Sequence, residues 1–245
     1  MRIYIKLLVI VLFLAVGRAN AVTVDELISK NIEARGGLEK LKAVHSVRMT
    51  GKIQFDSFHL GYAALAKRPS MMRQEASFQG MTAVTAYDGS VGWKIQPFFG
   101  RVDPEKMSGD EIKQIELSGD IDGPLVDYKA KGNTVEYLGT EDVDGTDAYK
   151  LKVTLKNNDV RVIYLDPDYF LEIRWIDQTW IRGTQVEQET DLGSYEKVEG
   201  VYLPFSYEVG DKGKPKGQKI TFEKAEINPE LDDSMFHFPS KAAGK

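Results

Sequence analysis

Residues 59–99 read HLGYAALAKRPSMMRQEASFQGMTAVTAYDGSVGWKIQPFF. Leu60, Tyr62, Ala64 and Ala66 alternate with Gly61, Ala63 and Leu65. Period two is the mark of a strand with one preferred face. Here both faces are nearly apolar, so both must be covered, by a second layer or by an apolar ligand. Pro69 ends the run because proline cannot donate to a ladder. Met71 to Phe78 extends again, Gln79-Gly80 turns, and Met81 to Tyr87 follows. Asp88-Gly89 is a hairpin signal, since both central positions of a type I′ turn need positive φ. Val91 to Ile95 then carries Trp93. Tightly joined short strands of this kind predict an antiparallel meander.

The meander extends in both directions. Upstream, Ser46 to Phe55 alternates Val47, Met49, Ile53 and Phe55 against Arg48, Thr50, Lys52 and Gln54. Before it, Thr23 with Glu26 predicts a capped helix carrying Leu27, Ile28 and Ile32 and closed by Gly36-Gly37. A further short helical piece carries Leu38, Leu41 and Val44. Downstream of Gly132, extended runs recur through Thr134–Glu141, Ala148–Lys156, Val160–Leu165, Tyr169–Trp180, Thr184–Tyr195, Val201–Val209 and Gln218–Ile227. Turn residues separate them, among them Asp144-Gly145 and Glu199-Gly200. The fold class predicted is mainly β. About eleven or twelve antiparallel strands with two helical pieces describe a large, strongly curved sheet or half-closed barrel, wide enough to hold a ligand.

One segment breaks the β rhythm. Pro97 to Pro104 reads as loop, and Ser108 with Glu111 then caps a helix bearing Ile112, Ile115 and Ile121 that ends before Gly123-Pro124. A lone helix in a β chain must bury its stripe against something. Residues 107–128 are therefore a candidate lid, with a permanent plug in one end of the barrel as the alternative.

The first 21 residues read as a targeting segment. Arg2 and Lys6 precede an apolar run from Leu7 to Val16, and Ala19-Asn20-Ala21 is a cleavage pattern. Cleavage after Ala21 predicts an exported, periplasmic chain of roughly 220 residues, one domain over 22–245. The net charge of −5 becomes −8 once Arg2, Lys6 and Arg18 are removed. An acidic chain argues against nucleic acid as a partner. The sequence contains no cysteine, hence no disulfide framework and no lipid-anchoring cysteine.

A search for chemistry yields no enzyme motif. His45, His59 and His237 share no ligand spacing, and no nucleophile elbow, zinc-binding helix motif or phosphate loop is present. Asp142, Asp144 and Asp147 lack the glycine position and the glutamate of a calcium loop. The expectation is a protein that is not an enzyme and needs no cofactor or metal.

The residues do carry a family resemblance. Lys67-Arg68-Pro69, a strand, Asp88-Gly89, Trp93, Pro97-Phe98 and the closing Phe236-His237-Phe238-Pro239 resemble the LolA-like family of periplasmic lipoprotein carriers. YLDPDYFLEIR, YEKVEGVYLPFSYEV and FEKAEINPELDDSMFHFP are similar to outer-membrane lipoprotein-sorting proteins. The resemblance implies an unclosed barrel with a helical lid over a hydrophobic cavity that receives acyl chains. It also implies a role for Arg68, which matches the family's arginine before a proline at the end of the second strand and would latch the lid. Implied partners are an acylated lipoprotein or lipid, an inner-membrane donor and an outer-membrane acceptor, with the protein itself a monomer. The chain is longer than a typical carrier, and 107–128 matches no family motif.

Candidate cavity-lining residues are Leu60, Tyr62, Ala64, Met72, Met81, Val84, Trp93, Ile95 and Trp175. Methionines suit a site that accepts varied chains. A second function of a different class, which the same fold allows, is a module that senses lipid or lipoprotein and reports to an envelope partner.

Overall fold

The computed structural model describes residues 22–239. The expected signal peptide, 1–21, and the tail 240–245 lie outside the described residues. Two helices, α1 (Val24–Ala34) and α2 (Leu38–Ala43), lead into strands β1 (Ser46–Phe55), β2 (Phe58–Lys67), β3 (Met71–Phe78), β4 (Met81–Tyr87), β5 (Gly92–Gln96) and β6 (Arg101–Lys106). Helix α3 (Gly109–Glu116) follows. Then come β7 (Thr134–Val143), β8 (Thr146–Thr154), β9 (Val160–Leu165), β10 (Glu172–Ile181), β11 (Thr184–Val198), β12 (Val201–Asp211) and β13 (Gln218–Ile227). Among the described residues no helix is long and apolar enough to cross a membrane.

All thirteen strands form one antiparallel sheet in the order β6-β5-β4-β3-β2-β1-β13-β12-β11-β10-β9-β8-β7. Each half of the chain is a meander, and the halves are joined where β1 pairs β13, with Val47 opposite Ile227 and Phe55 opposite Gln218. The sheet is unclosed: β6 and β7 are its two edges, and residues 107–133 connect them.

Three expectations are corrected. Pro97–Pro104 is not all loop, because Arg101–Lys106 forms an additional strand, β6. Its Pro104 is tolerated because β6 is an edge, where one N–H side is unpaired. Asp88-Gly89 does not form a type I′ turn, since of the two only Gly89 has a positive φ, 93°. Asp88 instead accepts through Oδ1 from the N–H groups of Ser90 and Val91, at 2.9 and 2.7 Å. Its carboxylate does what a left-handed backbone would otherwise do. The two-residue type I′ geometry occurs one hairpin earlier, at Gln79 (φ 49°) and Gly80 (φ 79°). The third correction is the end of α3, which stops at Glu116 so that Ile121 lies beyond it.

The direction of curvature follows from α3. It lies against both β4 and β10. Seven strand spacings separate these two strands, about 34 Å on a flat sheet, whereas an eight-residue helix is about 12 Å long. The sheet must therefore curl around the helix, and the face that meets α3 is concave. Strand register places Leu60, Tyr62 and Ala64 of β2 on this face, with Ile53 of β1, Ile220 and Phe222 of β13, and Tyr207 of β12. Helix α1 buries Leu27 and Ile28 on the same side, against Leu151, Val153, Ile163 and Leu165.

The convex face of the first half is covered by the end of the chain. Leu65 packs with Leu231 and Phe236, and Val84, Ala86 and Trp93 pack with Phe238. Trp93 donates from Nε1 to the Phe236 carbonyl at 2.7 Å, and Arg73 donates to the Met235 carbonyl at 2.7 Å. Strand β2 is thus covered on its convex side at Ala63 and Leu65, while Leu60, Tyr62 and Ala64 on the concave side stay partly exposed.

Candidate functional site

Arg68 stands at the top of the concave face, one residue past β2 and in phase with Leu60, Tyr62 and Ala64. Its guanidinium makes two kinds of contact. Nε donates to the Val44 carbonyl at 2.6 Å and Nη2 to the Leu41 carbonyl at 3.1 Å, which ties it to the end of α2. Nη1 and Nη2 also grip the Asp122 carboxylate in a fork, at 2.8 and 2.6 Å. The fork is the geometry in which arginine binds carboxylate most strongly. Asp122 belongs to the segment that crosses between the two sheet edges.

Two further cations converge on Asp122. Lys42 Nζ lies 3.1 Å from its carboxylate and 2.5 Å from that of Asp127. Arg35 Nη1 donates to the Asp122 carbonyl at 2.8 Å. Asp122 is 2 % exposed. Burial alone would raise its pKa, but hydrogen bonds and charge from Arg68 and Lys42 outweigh desolvation and hold it at about 2. Asp122 is therefore ionised at neutral pH although it is buried.

The segment is tied down at three other points. Lys94 of β5 pairs with Glu111 of α3, whose carboxylate also accepts from Ser108 N–H at 2.8 Å in a capping box. The Lys94 hydrogen bond, then those from Ser108, hold the Glu111 carboxyl at about 2. Lys131 binds Asp120 at 2.6 Å and the Gly123 carbonyl at 2.8 Å. Gly119 presses on the β2–β3 turn so closely that a Cβ there would lie 2.4 Å from the Ser70 carbonyl oxygen. Beyond Gly123 the segment becomes core: Leu125 joins the α1 cluster and Val126 the α2 cluster, both essentially unexposed. Residues 107–123 are thus held by side-chain pairs, by the Gly119 contact and by packing of Ile121 on the α2 cluster and of Met107 and Ile112 over Gly92, and 125–126 by core packing.

Below Arg68 a row of rings crosses the concave face. Tyr62 and Phe222 are 5.9 Å apart, Phe222 and Tyr207 5.9 Å, and Tyr207 and Trp175 6.2 Å. Gly51 lies between Tyr62 and Phe222 in the ladder, where a Cβ would run into the β13 backbone at Thr221 and Phe222. Desolvation pushes the Tyr62 and Tyr207 hydroxyls well above the ordinary phenol range, yet both rings keep some accessible surface. These rings pack on the cluster of Met49, Ile53, Phe205, Ile220 and Phe222 and are not fully covered.

The row ends in a polar cluster. Arg161 grips Asp177 with a fork at 2.6 and 2.7 Å, and its guanidinium lies 4.4 Å from the Trp175 ring centre. Trp175 Nε1 donates to the buried Glu172, which lies 3.9 Å from Arg35. Two shallow depressions of about 240 and 300 Å³ occur at the β12–β13 tip and on the outer face of β1–β3.

The nine expected lining residues are not all brought together. Leu60, Tyr62, Ala64, Met72, Met81 and Trp175 share the concave face, with Met72 fully buried and Met81 exposed at a hairpin tip. Val84, Trp93 and Ile95 lie on the convex face among the residues packed with Phe238. Sequence reasoning missed Asp122, Lys42, Tyr207, Phe222 and Arg161. The alternation within β12 and β13 pointed to Tyr207 and Phe222, but Asp122 sits before Gly123-Pro124 and reads simply as turn.

Comparison with known proteins agrees with this architecture. No protein-family model matches the chain. No curated protein matches it either. Solved structures do. A LolA superfamily protein from Nitrosomonas europaea superposes with a TM-score of 0.58 at 14% identity, over 89% of this chain and 98% of that one. A DUF1329 family protein from Desulfovibrio piger gives 0.58 at 14% identity, over 87% and 97%. A structure described as an outer membrane lipoprotein-sorting protein domain, from Vibrio parahaemolyticus, gives 0.55 at 11% identity, over 85% and 97%. With these neighbours and its own unclosed antiparallel sheet, the chain has the LolA-like fold.

Proposed function

We propose that this protein is a periplasmic carrier that holds the acyl chains of lipoproteins or lipids against its concave face, with residues 107–123 as a lid. One observation carries the reading. An apolar wall of Leu60, Tyr62, Ala64, Tyr207, Phe222 and Trp175 lies on the face crossed by a segment fastened through ion pairs rather than a strand ladder.

The magnitudes fit. Removing an acyl chain from water is worth about 0.8 kcal/mol per methylene, on the order of 10 kcal/mol for a long chain. A charge-assisted hydrogen bond contributes only about 1.5–3 kcal/mol. The several contacts that hold the lid together reach the same order as the burial of one chain, so chain entry can offset their loss while the empty protein stays closed. Arg68, in this reading, is the latch. A membrane donor would load the carrier and an outer-membrane acceptor would unload it; the chain itself needs no cofactor for either step.

The test is native mass spectrometry of the mature protein, purified from its exported state, with extraction of bound species. A co-purifying acylated molecule supports the carrier. A bare mass, together with failure to bind an apolar dye, would mean that the wall is ordinary core. Loading without release to acceptor vesicles would favour the sensing module instead.

A further inference from the structure

The cations around Asp122 outnumber what one carboxylate needs, and they belong to the body of the protein rather than to the crossing segment. Arg68 is fixed by the Val44 and Leu41 carbonyls whether or not Asp122 is present. Lys42 is on α2, and Arg35 ends α1 beside Glu172. If Asp122 swings out at Gly123 (φ 76°), Arg68 and Lys42 remain aimed at the position its carboxylate vacates, Lys42 still beside Asp127, and Arg35, released from the Asp122 carbonyl, stands next to them beside Glu172. Arg68 then has no carboxylate partner.

That position lies at the end of the apolar strip. From Leu60 to Arg68 a strand rises about 26 Å, whereas the chains of one bilayer leaflet span about 15 Å. The strip is therefore longer than one such chain: with its head at Arg68 an acyl chain would lie along Ala66 and Ala64 and end short of Leu60. A guanidinium fork with an adjacent ammonium suits phosphate, because the planar donors bind two oxygens and the ammonium adds a point charge.

We propose that Arg68, Lys42 and Arg35 form an anion site at the mouth of the concave face, that Asp122 fills it in the closed form, and that the phosphate of an acylated lipid displaces Asp122 on loading. This rests on the carrier reading and adds to it a preference for ligands whose anion sits next to the chains.

The experiment uses the mature protein from Val22 onward, stripped of bound lipid, and follows displacement of an apolar dye. Dioctanoyl phosphatidic acid and dioctanoylglycerol have identical chains and differ by the phosphate. The wild type is expected to favour phosphatidic acid about tenfold, the factor of one charge-assisted contact. Asp122→Asn, which removes the internal competitor, should bind phosphatidic acid tighter than wild type does. Lys42→Gln, at a more accessible position and less disruptive to the fold, should lower the ratio between the two lipids. Equal affinity for both lipids in wild type and in Asp122→Asn overturns the anion site and leaves the carrier standing. Displacement by inorganic phosphate at the same concentration as the lipid overturns a lipid source for the anion. If neither lipid displaces dye, the carrier reading fails and the site fails with it.

Discussion

At the scale of single residues, the Arg68–Asp122 pair decides most. Asp122 is nearly inaccessible, so removing Arg68 leaves a buried carboxylate with Lys42 as its remaining charge partner. Arg68→Leu should lower unfolding stability by about 2 kcal/mol, less than a fully buried pair would cost, because Lys42 remains. Urea denaturation measures this, and dye loading of the folded variant should differ from wild type; identical loading would remove Arg68 from the latch. The pair also sets a pH range. The folded pKa of Asp122, about 2, lies below its usual 3.8, so its contribution is fully present above about pH 4 and is lost as pH falls toward 2. Hydrogen exchange of residues 107–123 should therefore stay constant from pH 7 to about 4, after correction for intrinsic rates, and accelerate below that. Arg68 was legible in the sequence, as an arginine in phase with an apolar strand and before a proline. Asp122 was not, because the pairing spans 54 positions and nothing local marks it.

At the scale of elements, the sheet has two faces with separate duties, and substitutions should separate them. Trp93→Ala opens a hole beneath Phe236 and Phe238 and should cost about 3–5 kcal/mol in stability. The folded fraction should still bind an apolar dye. Leu60→Glu, on the concave face, should abolish dye binding at a smaller cost in stability. If Trp93→Ala abolished binding as well, the division into faces would be wrong. Gly119→Ala tests the crossing segment without touching any charge. Its Cβ would meet the Ser70 carbonyl, so the segment should lift and expose itself to limited proteolysis near Gly109–Glu116. The strands were legible because alternation and turn residues are local signals, and β1 is observed over the range they predicted, Ser46–Phe55. Which face each strand turned inward was less so. Val84, Trp93 and Ile95 are as apolar as Leu60 or Tyr62, and only the return of the chain at Leu231–Phe238 shows that they are covered from outside. Strand β6 was hidden by Pro104 and its charges, which are the features that keep an exposed edge from pairing with another chain.

At the scale of the whole molecule, one sheet holds every strand of the described residues, and its curvature wraps the meander around α3. The number of strands predicted the size of the sheet, and the family resemblance implied its openness. Neither predicted the join at β1 and β13, because a ladder between residues so far apart leaves no periodic trace. Gly51 sits in that join at a register shift, and a Cβ there would lie 2.1 Å from the Thr221 carbonyl oxygen. Gly51→Ala should cost about 1–3 kcal/mol by forcing the ladder apart, seen as a lowered midpoint in thermal melting.

The same join imposes an order in time. β1 is the first strand of the chain and β13 the last, and each is the other's neighbour. The two meanders can form from local contacts, but the seam between them cannot close until the last strand has been delivered. Contacts this distant in sequence slow folding, toward the millisecond-to-second range of β proteins. A chain ending before Gln218 would leave β1 with a bare edge and β12 without its partner. The protein therefore has a built-in delay, staying short of its final shape until nearly all of it has arrived.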